Sequence, residues 1–153
     1  MLDPELVIMK LSSSDWEGVI RELAVLMETR GYVRPTFQDA VVTREASFPT
    51  GLPTQTIGVA IPHADIQHVL RPGMAVGRCA TPVAFGTMGG ARGETISVSL
   101  VVLLALTEPH AHVDMLQRLM DFFQDADATR RVLAAKSREE IVALMSSYLS
   151  SER

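Results

Sequence analysis

The chain has 153 residues, of which 47% are hydrophobic and 21% charged, and its formal net charge is −4. This length and balance predict one globular domain over residues 1–153 with its own apolar core. The single cysteine, Cys79, excludes an intrachain disulfide, and the absence of a basic cluster argues against nucleic-acid binding. The apolar runs are short, so we expect a cytoplasmic protein without a signal peptide or membrane insertion.

The first third of the chain predicts a strand followed by two helices. Leu6–Met9 is a short apolar run typical of a strand. Ser14 and Glu17 have the spacing of a capping box, which predicts a helix that ends at Gly31. Thr36 predicts the start of a second helix, whose expected inner face consists of Phe37, Ala40, Val41 and Ala46.

The remainder of the chain alternates strand and helix patterns. Strands are predicted at Ile57–Ile61, where Pro62 ends the strand, at Met74–Cys79 and at Ile96–Leu106. The glycine-rich segment 86–93 predicts a hairpin or surface loop. Helices are predicted to start near Pro109, at Asp127 and after Ser137, the first with an apolar stripe of Val113, Leu116, Leu119, Met120 and Phe123. This alternation indicates a layered α/β fold.

His63 is the first candidate for chemistry. It follows a buried-type strand and a proline, and functional groups in α/β folds gather at strand ends. Pro62 fixes its own φ angle and so limits movement just before the histidine. Taken alone, however, a histidine in this position is more often a loop residue with no special role, because reactive histidines are the minority.

His112 is the second candidate. It lies four residues before Leu116, on the predicted inner face at the start of a helix. A helix N-terminus has partial positive charge and unpaired N–H groups, which suit an anion such as phosphate. We therefore hypothesise that His63 and His112 share a phosphoryl group, with a capping or partly buried histidine as the plainer alternative for His112.

Metal, nucleotide and thiol chemistry find less support. The segments His63–His68 and His110–His112 contain ligand-type residues but match no firm zinc spacing. No phosphate-binding loop motif is present, and Cys79 is expected to be a small core residue rather than an activated thiolate. We predict no metal and no cofactor.

Three motifs in order resemble one known family. Arg44–Leu52 (REASFPTGL) and Ile57–Ala64 (IGVAIPHA) are similar to the R-E, T-G and P-H pattern of the fructose/mannitol-type (type-2) enzyme IIA of the sugar phosphotransferase system (PTS). His112–Leu119 resembles the family's H-x-x-x-L-x-x-L helix start, and Ala134–Leu149 resembles its ending. The likeness extends from about Leu6 to Leu149. The longer loop between Thr50 and His63 is similar to that of the galactitol-type branch.

The resemblance implies a mixed sheet of about five strands flanked by helices on both faces. It implies a phosphotransferase component in which His63 takes a phosphoryl group from phospho-HPr and passes it to a cysteine on enzyme IIB. A membrane permease, enzyme IIC, would be an indirect partner. Enzymes IIB and IIC are both expected outside this domain. By the same resemblance, His112 and Arg44 stabilise the phosphoryl group, since a guanidinium forms two hydrogen bonds to phosphate. For Arg44 the alternative is an arginine at a helix C-terminus that interacts favourably with the helix dipole.

Three functions remain open at this stage. The first is a phosphocarrier for the uptake of galactitol or a related polyol. The second is a regulatory, nitrogen-type enzyme IIA whose phosphorylation state controls other proteins. The third is a metal-dependent hydrolase that uses the histidines.

Overall fold

The computed structural model describes residues 1–150, and at His112 it describes the backbone but not the side chain. The strands are β1 (Leu2–Leu11), β2 (Leu52–Pro53), β3 (Gly58–Ala60), β4 (Gly73–Gly86) and β5 (Thr95–Ala105). The helices are α1 (Trp16–Thr29), α2 (Phe37–Ser47), α3 (Pro109–Gln124), α4 (Ala126–Ala134) and α5 (Arg138–Leu149), with a 3-10 turn at Ile66–His68.

The five strands form one mixed sheet in the order β1-β4-β5-β3-β2. Strands β1 and β4 pair in parallel, and so do β3 and β5. The pairs β4–β5 and β2–β3 are antiparallel. The central strand β5 is fully buried from Leu100 to Ala105, as its continuous apolar run predicts. The predicted five-stranded mixed sheet is therefore confirmed.

Each face of the sheet is covered by its own group of helices. One core cluster joins alternate residues of β4 and β5, such as Ala75 and Val101, to α1 and α2. The other joins the intervening residues, such as Val76 and Val102, to α3, α4 and α5. Because successive side chains of a strand point to opposite faces, one central strand fills both cores. Within residues 1–150, no helix is both long and apolar enough to cross a bilayer.

The glycine-rich segment is the hairpin between β4 and β5. Gly89 and Gly93 have φ angles of 68° and 83°, a left-handed conformation that glycine adopts without steric cost. The prediction of a hairpin here is confirmed. The prediction that the preceding strand ends at Cys79 is wrong, because β4 continues to Gly86 after a register shift between Arg78 and Val83.

Two predicted helix caps have different outcomes. Ser137 caps α5 as predicted, since its side chain accepts a hydrogen bond from the backbone N–H of Glu140. At α1 the predicted cap at Ser14 is wrong: Asp15 is the N-cap and accepts from the backbone N–H of Gly18. Aspartate and serine are equally preferred at the N-cap position, so the residue types alone do not determine which of Ser14 and Asp15 caps the helix.

The predicted inner faces of two helices need correction. On α2 the side chain of Ala46 is exposed, and Glu45 is buried in its place. The three buried residues of this helix, Phe37, Val41 and Glu45, are spaced four apart and therefore share one face. On α3, Val113 is 65% exposed, whereas Leu119 and Phe123 are buried as predicted.

Candidate functional site

His63 lies where β3 leaves the sheet. Its backbone forms an isolated parallel bridge with Leu104 near the end of β5, and the Leu104 N–H donates to the Pro62 carbonyl at 3.0 Å. Pro62 is buried, whereas the histidine ring is half-buried. The predicted position at a strand end is therefore present, and the backbone there is part of the hydrogen-bonded sheet.

The orientation of the His63 ring is set by a backbone carbonyl. Nδ1 of the ring lies 3.0 Å from the carbonyl oxygen of Ile61. A carbonyl oxygen only accepts hydrogen bonds, so Nδ1 must carry the proton in this contact. In the neutral ring the lone pair then lies on Nε2, and Nε2 is the nucleophilic nitrogen.

The environment of His63 lowers its pKa. Burial is the main cause, because a low dielectric disfavours the imidazolium. The hydrogen bond to Ile61 and the charge of Asp65 act in the opposite direction, and the charge of Arg44 adds to the lowering. The neutral ring, which is the form able to attack phosphorus, is therefore favoured at neutral pH.

Arg44 belongs to the same neighbourhood, as its effect on the pKa of His63 indicates. It lies in the last turn of α2, and its Nη1 is 3.9 Å from Oδ1 of Asp65, two residues after the histidine. Its guanidinium lies 5.8 Å from the centre of the Phe48 ring, which is 68% exposed. An open groove of about 440 Å³ runs along α2 beside Arg44. The structure thus brings a cation close to the histidine and an exposed aromatic ring close to that cation.

Sequence reasoning gave no role to Glu45, which is paired with Thr50 beneath this site; each of the two residues is 4% exposed. The carboxylate of Glu45 accepts the Thr50 N–H at 2.7 Å and the Thr50 hydroxyl at 2.9 Å. The same hydroxyl oxygen accepts the Ile61 N–H at 3.0 Å. Burial raises the pKa of Glu45 to about 7, although the hydrogen bonds from Thr50 and the charge of Arg44 oppose it. The spacing of Glu45 from Phe37 and Val41 is the signal that identifies it.

The other predicted residues are placed as follows. His112 lies in the first turns of α3, the helix that follows β5, and its side chain lies outside the described residues. Nδ1 of His68 contacts the Thr36 hydroxyl at 2.8 Å. Cys79 is half-buried, and burial together with the charge of Glu22 raises its pKa to about 11, so the thiol is not activated. Among the described side chains, no three His, Cys, Asp or Glu residues come together as a metal site.

Comparison with known proteins identifies the family. Residues 1–148 match the family model described as "Phosphoenolpyruvate-dependent sugar phosphotransferase system, EIIA 2". The chain is 27% identical to the galactitol-specific EIIA component of Escherichia coli (strain K12), with 80% of this chain and 81% of that protein covered. It is 26% identical to the fructose-specific EIIABC component of Bacillus subtilis (strain 168), with 97% of this chain covered, but it spans only 23% of that protein's length.

Solved structures agree on the fold. The crystal structure of IIA mannitol from E. coli superposes with a TM-score of 0.77 at 23% identity, covering 95% of this chain and 99% of that one. The nitrogen regulatory protein IIA-Ntr from Neisseria meningitidis gives a TM-score of 0.75 at 22% identity, with 94% of each chain covered. The five-stranded mixed sheet and its helices thus have the fold of enzyme IIA proteins.

The chain belongs to the type-2 EIIA family of the phosphoenolpyruvate-dependent sugar phosphotransferase system. It is an EIIA domain, a phosphotransferase component of that system.

Proposed function

We propose that this protein is a cytoplasmic carrier that holds a phosphoryl group on Nε2 of His63. It accepts the group from phospho-HPr and passes it to a cysteine of an enzyme IIB during sugar uptake. The observation that supports this most directly is the contact between Nδ1 of His63 and the Ile61 carbonyl. It assigns the ring proton to Nδ1 and the lone pair to Nε2, on a half-buried ring whose pKa is lowered.

The proposed step is an in-line displacement at phosphorus. The Nε2 lone pair of His63 forms the new N–P bond, while the bond between phosphorus and the histidine nitrogen of phospho-HPr breaks and its electron pair returns to that nitrogen. Positive charge develops on the His63 ring, and the Ile61 carbonyl stabilises it through the Nδ1–H. In a second displacement, the thiolate of enzyme IIB attacks phosphorus, the N–P bond breaks and its electron pair returns to Nε2 of His63.

Arg44 and His112 are the proposed stabilisers of the phosphoryl oxygens. Arg44 is 41% exposed on its side chain, and its contact with Asp65 at 3.9 Å is at the limit of an ion pair. Such a pair stabilises little, so the guanidinium is able to turn toward an incoming phosphoryl group. For His112 the support is its place at the start of α3 and the family motif around it.

The proposed partner surface surrounds this centre. Phe48 is 68% exposed beside Arg44, and Leu52 is half-buried, which gives an apolar border to a small charged site. A solved relative of the same fold is a complex of enzyme IIAMTL with phosphorylated enzyme IIBMTL from E. coli, with a TM-score of 0.77. A single enzyme IIA domain over residues 1–153 and a separate enzyme IIB partner are consistent with this arrangement.

We further propose galactitol or a related polyol as the transported sugar, because relatives named for galactitol and for mannitol are among the similar proteins. The regulatory alternative is supported by the structural similarity to IIA-Ntr. The two differ in whether any enzyme IIB accepts the phosphoryl group. The hydrolase alternative has no metal site among the described side chains to support it.

The test is phosphorylation with phosphoenolpyruvate, enzyme I and HPr, followed by intact mass measurement. We expect the mass of one phosphoryl group, labile in acid, and none on the His63→Ala variant. His68→Ala is the matched control, since this histidine lies five residues later and contacts Thr36. Label that persists in His63→Ala would contradict the proposal.

The same assay tests onward transfer. Loaded protein is mixed with enzyme IIB proteins of the galactitol, mannitol and fructose systems, and loss of label identifies the acceptor. Retention of label with all three would favour the regulatory alternative. We expect His112→Ala to accept the phosphoryl group but to transfer it poorly, and normal transfer would remove His112 from the mechanism.

A further inference from the structure

A buried chain of hydrogen bonds connects α2 to the segment that carries His63. It starts at the carboxylate of Glu45, which accepts both the N–H and the hydroxyl of Thr50. It continues from the Ile61 N–H to the Thr50 hydroxyl oxygen, and it ends at the Ile61 carbonyl, which accepts from Nδ1 of His63. The donor–acceptor distances in this chain run from 2.7 to 3.0 Å.

A carboxyl group at position 45 is costly for packing alone. Burying a carboxylate disfavours folding unless hydrogen bonds compensate, and an apolar side chain of similar volume fills such a space without that cost. Both oxygens of Glu45 are directed at one residue, Thr50. The carboxylate therefore has the geometry of a group that orients Thr50.

When Glu45 is ionised, the direction of every bond in the chain is fixed by chemistry. A carboxylate only accepts and a backbone N–H only donates, so the Thr50 hydroxyl then gives its proton to Glu45 and accepts from Ile61. Thr50 is itself anchored, because the neighbouring Gly51 donates its N–H to the Gly86 carbonyl of the β4–β5 hairpin at 3.0 Å. The Ile61 N–H is thus held by a rigid acceptor.

Ile61 transmits this constraint to the histidine. Its N–H is bound by Thr50, and the next residue, Pro62, has a fixed φ and a carbonyl bound by Leu104. The orientation of the Ile61 carbonyl, which accepts the His63 Nδ1–H, is therefore set from both sides. We propose that Glu45 is a positioning residue that, through Thr50, holds the Ile61 carbonyl so that the proton of His63 stays on Nδ1 and the lone pair stays on Nε2. This inference rests on the proposed role of His63 as phosphoryl acceptor.

The test uses near-isosteric variants and two independent readouts. Thr50→Val removes the hydroxyl, Thr50→Ser keeps it, and Glu45→Gln replaces one acceptor oxygen by a donor. Glu22→Gln is the matched control, because Glu22 also accepts backbone N–H bonds, from Ser12 and Ser13 rather than from Thr50. Nitrogen chemical shifts of the neutral His63 ring report the tautomer, and stopped-flow kinetics with phospho-HPr report acceptance.

We expect the wild type, Thr50→Ser and Glu22→Gln to show the Nδ1–H tautomer. We expect Thr50→Val and Glu45→Gln to populate the Nε2–H tautomer and to lower kcat for acceptance by about tenfold, the effect of one lost hydrogen bond, with KM little changed. Folded Thr50→Val and Glu45→Gln proteins with wild-type tautomer and rate would overturn the proposal. So would a wild-type ring that carries its proton on Nε2, which is decisive even where a variant does not fold.

The two proposals fail separately. A tautomer that changes in Thr50→Val, in a protein that enzyme I and HPr do not label on His63, supports the positioning by Glu45 and overturns the phosphocarrier function. Label on His63 in a protein whose tautomer and acceptance rate are insensitive to Thr50 and Glu45 overturns the positioning role and leaves the phosphocarrier function in place.

Discussion

Arg44 and Asp65 place opposite charges 3.9 Å apart beside His63, the first at the end of α2 and the second two residues after the histidine. Their side chains are 41% and 73% exposed, so water screens the pair and it contributes little to stability. Both charges nevertheless act on the histidine: Arg44 lowers its pKa and Asp65 raises it. The pair is therefore better understood through its effect on His63 than through its contribution to folding.

Removing the charge of Arg44 and removing the charge of Asp65 should shift the pKa of His63 in opposite directions. Arg44→Gln removes a positive charge that disfavours the imidazolium, so we expect the pKa to rise. Asp65→Asn removes a negative charge that favours the imidazolium, so we expect it to fall further below the usual value for histidine. An NMR titration of the His63 ring measures both. Arg131→Gln is the control, since Arg131 pairs with Asp127 on α4. Shifts of the same sign in the two variants would contradict the assigned geometry.

Glu45 should make stability fall as pH rises toward neutrality. In the unfolded chain its pKa is about 4.5, whereas in the folded protein it is raised to about 7. The folded state thus holds a proton that the unfolded state has lost, and this contribution is complete below pH 4.5 and disappears as pH rises through 7. Relative to Glu45→Gln, we expect the wild type to lose on the order of 3 kcal/mol over this range. Urea unfolding of both proteins at several pH values provides the measurement.

Glu22 supplies a control of opposite sign for that experiment. Burial raises its pKa, but hydrogen bonds from Ser13 and Ser12 outweigh burial, and the net shift is downward. Its contribution is therefore present above the unfolded pKa of about 4.5 and is lost as pH falls below it. For Glu45, a wild type whose stability changes with pH in parallel with that of Glu45→Gln would show that folding does not raise the pKa of Glu45.

Gly58 should be the least replaceable of the glycines near the site. A Cβ at this position of β3 would lie 2.0 Å from the carbonyl oxygen of Ser97, so the backbone of β3 or β5 would have to shift. We expect Gly58→Ala to cost about 3 kcal/mol or more in the free energy of unfolding, because strands β3 and β5 must separate. Gly89→Ala, with a φ of 68° and open space around it, should cost only about 1–2 kcal/mol. Equal costs in urea unfolding would contradict the close approach of the two strands.

The fold was predictable where the apolar pattern was long and unambiguous. The run from Val98 to Leu106 predicts a central strand, and Pro62 correctly predicts the end of β3. The pattern does not predict the extent of β4, because Arg78, Thr81 and Pro82 resemble a strand end. They lie at a register shift, where a proline and polar residues are tolerated within a strand.

The residues of the site that reach solvent were predictable from the sequence, and its fully buried carboxyl group was not. His63 and Arg44 follow from the motifs, and the structure places both in one neighbourhood. The predicted inner face of α2 includes Ala46 and not Glu45, because a charged residue is ordinarily exposed and Ala46 is the more apolar neighbour. The four-residue spacing from Phe37 and Val41 places Glu45 on the inner face, but periodicity does not encode the two hydrogen bonds from Thr50 that compensate for its burial.

The backbone on either side of the histidine is hydrogen-bonded into the sheet and the adjoining loop, through Leu104 to Pro62 and through Ile61 to Thr50. In the proposed carrier, these hydrogen bonds leave the main chain little freedom to change conformation when His63 gains or loses the phosphoryl group. The phosphorylated and unphosphorylated forms would then have the same backbone conformation and differ mainly in the electrostatic potential around His63. A protein that distinguishes the two forms would then have to contact the phosphoryl group on His63 directly. Uptake and regulatory partners would therefore compete for the same surface around that residue.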